Sequence, residues 1–111
     1  MDKPSLDIRF YKTDSGSEPV LEWLRELSAN ERKTIGEDIK TVQLGWPFGM
    51  PLVRKMDKNL WEVRIHLQNR IARVFFTVLD SKIVLLHGFI KKTHATPLSD
   101  IRLAKDRMRN N

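Results

Sequence analysis

The stretch LWEVRIHLQNRIARVFFTVLDSKIVLLHGFIKKT, Leu60–Thr93, decides how this chain folds. It reads as three consecutive strands separated by turn signals at Gln68-Asn69 and Asp80-Ser81. Successive side chains of a strand point to opposite faces, so residues two apart share a face. Parity sets Trp61, Val63 and Ile65 against Glu62, Arg64 and His66, and Ala72, Val74, Phe76 and Val78 against Ile71, Arg73, Phe75 and Thr77. In the third run Val84, Leu86, Gly88 and Ile90 oppose Leu85, His87, Phe89 and Lys91. Each strand then has one clean apolar face and one mixed face. Aligning the clean faces gathers Arg64, Arg73, His87 and Lys91 on the other side of the sheet, near Phe75 and Phe89. A cationic surface with aromatic rings and an imidazole suits a phosphodiester chain, RNA above all.

Upstream of this stretch, Leu6–Tyr11 alternates as a first strand, with Leu6, Ile8 and Phe10 on one face. Thr13–Ser17 is a polar loop. Ser17 is expected to cap a helix whose first turn holds Glu18 and Pro19, with Val20, Leu21, Leu24 and Leu27 on its apolar face and Trp23 at the border. Ser28 followed by Glu31 matches a capping box for a second helix, in which Ile35, Ile39 and Val42 recur at helical spacing and Gly45 supplies a stop. The segment Gly45–Pro51, with two glycines and two prolines, is a turn expected to be anchored by Trp46 and Phe48. Leu52–Met56 is a short strand or the lead-in to one, and Asp57-Lys58-Asn59 is a turn. Downstream, Thr96 and Pro97 open a last helix with Ile101, Leu103, Ala104 and Met108 on its apolar side.

This order implies an α+β fold, a small and mostly antiparallel sheet with the two early helices covering its clean face. The last helix is expected to cover part of the other face, over Leu85 and Phe75. The basic residues are left open in a groove with an apolar floor.

With 111 residues the chain has the size of one domain, 1–111, and no linker or repeat divides it. A formal charge of +6, concentrated after Leu52, favours a polyanionic or acidic partner. No cysteine is present, which excludes disulfides and thiolate metal sites. No apolar run approaches the roughly 20 residues that cross a bilayer, and no signal-peptide core opens the chain, so a cytoplasmic protein without a membrane partner is expected. Three scattered histidines without clustered carboxylates make no metal centre, and no glycine-rich phosphate loop or nucleophile-elbow serine is found. An enzyme reading is thereby narrowed to side-chain acid–base chemistry with no cofactor.

LWEVR at Leu60–Arg64, RIARVFF at Arg70–Phe76, VLLHGFIKKT at Val84–Thr93 with the TP-initiated helix after it, and the early EPVLEWLREL helix together carry a family resemblance. Over almost its whole length the chain resembles toxins of the RelE/ParE superfamily, in the phage-derived HigB-like branch. The resemblance implies the sheet-and-helices fold above and a toxin neutralised by a cognate antitoxin, expected here to be a helix-turn-helix protein. Many such toxins cut messenger RNA on the ribosome without metal, which makes the ribosome and mRNA the implied partners. ParE-type relatives instead poison DNA gyrase, and a basic nucleic-acid-binding regulator is a further alternative, so the fold alone leaves the target open.

Cleavage of RNA by its own 2′-hydroxyl needs a proton acceptor, a stabiliser of phosphorane charge and a donor to the 5′-oxygen. Arginine presents a permanently charged planar fork to phosphate, and Arg73 and Arg64 are the expected stabilisers. His87 can move protons near neutral pH, or it can be a structural hydrogen-bonder. Glu62 is the competing acceptor, though among cations it is better suited to orienting Arg64. Lys91 is the fourth expected catalytic group, as phosphate ligand or proton donor. Lys92, Phe89, His66 and Arg70 are the expected RNA contacts, Phe89 by stacking on a base or else by core packing, and His94 is peripheral.

Overall fold

A computed structural model describes residues 6–47, 53–92 and 94–110. Its elements run β1 (Asp7–Phe10), α1 (Pro19–Arg25), α2 (Ala29–Gly45), β2 (Val53–Asp57), β3 (Leu60–His66), β4 (Ile71–Leu79), β5 (Lys82–Ile90) and α3 (Leu98–Arg109). The strands form one sheet in the order β1-β5-β4-β3-β2. Three neighbouring pairs are antiparallel, and β1 joins the edge in parallel beside β5. The α+β architecture expected from the strand and helix periodicities is the one observed.

Hairpin chemistry explains the antiparallel part. Asp80 and Ser81 both take positive φ, 50° and 62°, the geometry a two-residue turn needs to match strand twist. Asn59 does the same between β2 and β3 at φ 58°. On one face of the sheet α1 and α2 bury Val20, Leu27, Ile35, Ile39 and Val42 against Val63, Ile65, Ala72, Val74 and Phe76. Trp46 closes this core at the end of α2, edge-on to Trp61 at 4.8 Å and to Phe76 at 5.6 Å. Its expected companion Phe48, with Leu52, lies outside the described residues. Gly88 is required by a close approach: a β-carbon there would stand 2.5 Å from Cε3 of Trp23, in α1.

A second, smaller core lies on the opposite face, where α3 covers Leu60, Phe75, Val84 and Leu86 with Ala104, Ile101 and Met108. Here strict alternation fails. β4 and β5 pair Phe75 with His87 but Phe76 with Leu85, so a bulge leaves Leu86 as the extra residue. The bulge inverts parity in the first half of β5. Leu85 therefore packs under α1 and α2, while Val84 and Leu86 pack under α3, the reverse of the expected assignment. His87 and Phe89, beyond the bulge, keep their expected face.

The helix starts also differ in part. Ser28 caps α2 by accepting from the Glu31 N–H, as expected, but α1 begins after Glu18, and Ser17 bonds Thr13 instead. Thr96 does not cap α3, whose N-cap is Pro97, because its hydroxyl is engaged inside the protein. Leu103, expected on the apolar side of α3, is exposed.

Candidate functional site

Pairing register brings the candidate residues together on the α3 face. Arg64 of β3 stands opposite Arg73 of β4, and Arg73 stands opposite Phe89 of β5. Residues directly across an antiparallel pair have Cβ atoms about 5 Å apart, so two arginines side by side require a counter-charge. Glu62, two residues before Arg64 and on the same face, supplies it to Arg73, at 3.6 Å between Oε2 and Nη1.

This pair corrects the expectation that Arg73 stands open to solvent. Arg73 is 1% exposed and Glu62 2%. The Thr96 hydroxyl lies between them, accepting from Arg73 Nη1 and donating to Glu62 Oε2 at 3.0 Å. Arg73 Nη2 also points at the His94 carbonyl at 3.4 Å. His94 and Thr96 thus cover the guanidinium and leave it almost no exposed surface. Nε of Arg73 remains a buried N–H without an acceptor. Glu62 orients Arg73 rather than Arg64. Arg64 itself is half-buried and has no ion-pair partner among the described residues, which makes it the accessible arginine of the two.

His87 lies on the bulged strand, in a triangle of rings with Phe75 and Phe89. Its ring centroid is 5.3 Å from that of Phe89 and 6.2 Å from that of Phe75, both nearly parallel. Nε2 is 2.7 Å from Oδ1 of Asp100, in the first turn of α3. An ionised carboxylate only accepts, so Nε2 carries the proton and Nδ1 holds the lone pair. Nδ1 makes no hydrogen bond among the described residues. Burial holds the His87 pKa below its usual range; Asp100 opposes this, and Arg107 adds to it. The imidazole is therefore neutral near pH 7 with Nδ1 as a proton acceptor. Arg107 closes the back of the site, donating to the Leu86 carbonyl at 2.8 Å and lying over the Tyr11 ring at 5.7 Å.

Lys91 and Lys92 follow directly after β5. They stand between two cavities, a wide cleft of about 510 Å³ bordered also by Asn69, Arg70 and His94, and a smaller cavity of about 190 Å³ beside Phe89 and Asp100. Arg70 borders the wide cleft but is held by a bidentate pair with Glu31, 2.9 Å on each branch, so it does not offer a free fork. His66 is exposed at the end of β3, near enough to α2 to act electrostatically on Asp38. The structure thus groups Arg64, Arg73, His87, Phe89, Lys91 and Lys92, and leaves His66 and Arg70 at the margin.

Sequence reasoning missed Asp100 and misplaced Thr96. For Asp100 a signal existed, an acid in the first turn of a proline-initiated helix, but it pointed only to the helix dipole. No group of three His, Cys, Asp or Glu side chains among the described residues could hold a metal ion. No described helix is long and apolar enough to cross a membrane.

A small basic α+β domain with a histidine–carboxylate pair and two lysines at the mouth of its sheet is the class that fold and site define. The family model described as "Phage derived protein Gp49-like (DUF891)" matches residues 22–109, and the chain belongs to that family. The family consists of RelE-like, toxin-like proteins and is associated with the toxins of toxin–antitoxin systems, which makes an antitoxin the expected partner class. No curated relative matches the chain.

Proposed function

We propose that this protein is the toxin of a type II toxin–antitoxin pair, and that it acts as a metal-independent, ribosome-dependent endoribonuclease on messenger RNA. The observation that carries the proposal is the His87–Asp100 pair, 2.7 Å apart, on the sheet face that also bears Arg64 and leads to Lys91. Asp100 fixes the tautomer, and Nδ1 of His87 takes the 2′-hydroxyl proton. As the 2′-oxygen attacks phosphorus, Arg64 stabilises the added charge on the phosphorane. Lys91 protonates the departing 5′-oxygen, leaving a 2′,3′-cyclic phosphate and a 5′-hydroxyl. Lys92 and Phe89 hold the neighbouring nucleotide. Arg73, covered by Thr96, is a positioning residue that ties His94 and Thr96 to the sheet.

Inducible expression followed by mapping of transcript 5′ ends tests this. Cuts within translated regions are expected, and they are lost in His87→Gln. Arg64→Ala should lower cleavage by about 10²–10³-fold, the usual effect of removing one preorganised charge donor. Intact transcripts with gyrase-linked DNA breaks would overturn the nuclease in favour of a ParE-like activity.

A further inference from the structure

The smaller cavity is chemically unlike the rest of the cationic face. Phe89, Ile90, Ala95 and Pro97 make its walls largely apolar, and it shares Lys91 and Lys92 with the wide cleft. Four charged side chains interrupt the apolar lining, Lys91 and Lys92 on the side shared with the wide cleft, and Asp100 and Arg73. Asp100 contributes a carboxylate, an acceptor only, while Arg73 borders the cavity from behind, 1% exposed and already held by Glu62 and Thr96. A bare phosphate would pair with the two lysines but would leave the walls of Phe89, Ile90, Ala95 and Pro97 unfilled and would face the Asp100 carboxylate. A flat heteroaromatic ring with donors and acceptors on its edge suits it well. At about 190 Å³ the space admits one such ring and excludes a stacked pair.

We propose that this cavity is a nucleobase pocket, which seats one unstacked base of a single-stranded RNA while Lys91 and Lys92 hold its flanking phosphates. The proposal rests on the reading of the chain as an RNA-acting protein and adds where sequence preference arises. Phe89 supplies the ring face for stacking, and Asp100 meets the base edge. Asp100 also holds His87, so the base that enters the pocket is adjacent to the proton acceptor. Occupancy of the pocket therefore selects which phosphodiester is presented for cleavage.

The test uses the intact protein titrated separately with the four nucleoside 5′-monophosphates and with ribose 5-phosphate, followed by amide chemical shifts. At least one nucleotide should bind tenfold or more tightly than the sugar phosphate, a margin within what one base stack contributes. Shifts should centre on Phe89, Lys91 and Asp100. Ala95 is exposed at the cavity wall, so Ala95→Leu narrows the space without touching the core, and an unchanged melting temperature would verify that. That variant should bind all five ligands alike. Equal binding of nucleotides and ribose 5-phosphate to the parent protein, no binding, or a preference that survives Ala95→Leu would overturn the pocket. Transcript cleavage with unaltered sequence preference in Ala95→Leu sinks the pocket and leaves the nuclease standing. Nucleotide binding without any transcript cleavage does the reverse.

Discussion

Replacing Glu62 with alanine would leave the Arg73 guanidinium charged, buried and without a counter-ion. Both side chains are 2% exposed, so water cannot take the place of the missing carboxylate. Breaking a buried pair from one side typically costs about 3–5 kcal/mol, against total stabilities of about 5–15 kcal/mol for domains of this kind. With a urea slope near ~1.5 kcal/mol per molar, the unfolding midpoint should fall by roughly 2–3 M. Glu62→Gln keeps the shape and an acceptor for the Thr96 hydroxyl while removing the charge, and its loss should be about 2 kcal/mol. The double replacement Glu62→Leu with Arg73→Met removes both charges and should recover most of the stability, since an apolar pair of similar volume is often as stable as a buried ion pair. Urea unfolding of the three variants, followed by circular dichroism, measures this. If Glu62→Ala costs under about 1 kcal/mol, as an exposed pair would, the sealed geometry at Arg73 is wrong. A double variant no better than the single would equally refute the argument.

Gly88→Ala should destabilise the fold by about 1–3 kcal/mol through overpacking against Trp23, with partial recovery in a Trp23→Leu background; thermal unfolding of the two variants checks it. Because the folded His87 pKa lies below the unfolded value, the unfolded chain binds the extra proton between the two. Stability from this group is therefore lost as pH falls through that window and fully present above about 6.5, the free histidine value. An imidazole titration by NMR should give a midpoint below 6.5, and Asp100→Asn should lower it further, because the carboxylate is the main influence raising it; a midpoint at or above 6.5 would contradict the burial. Glu31→Gln should leave the unfolding midpoint nearly unchanged, since its partner Arg70 is 45% exposed. By freeing Arg70 it should steepen the salt dependence of RNA binding by about one unit of log–log slope, read from titrations at several salt concentrations.

Periodicity within single elements was legible in the chain. The helical spacing of Ile35, Ile39 and Val42, the cap at Ser28 and the turns at Asp57–Asn59 and Asp80-Ser81 depend on neighbours a few residues away, and each is where the pattern placed it. The alternation of β3 and β4 predicted which residues face α1 and α2, because no bulge interrupts their mutual register. The same alternation misassigned Val84, Leu85 and Leu86, since a bulge between β4 and β5 has no signature in VLLHGF. Thr96 looked like a helix cap because threonine before proline favours that place, yet the buried pair of Arg73 and Glu62, 23 and 34 residues back in the chain, claimed its hydroxyl.

By itself the sequence determined the order of elements, the α+β class and the accumulation of cations on one sheet face, since all three follow from local pattern and charge. Tertiary structure alone decided which cations can meet a ligand. Arg64 and Arg73 are equivalent by parity, both mid-strand and on one face, and they part company only when His94 and Thr96 come to lie over Arg73. The partnership of His87 with Asp100 likewise exists only once α3 lies across β5. Exposure and proton affinity are properties of the assembled surroundings, set by groups far off in the chain, and no spacing rule within a strand can encode them.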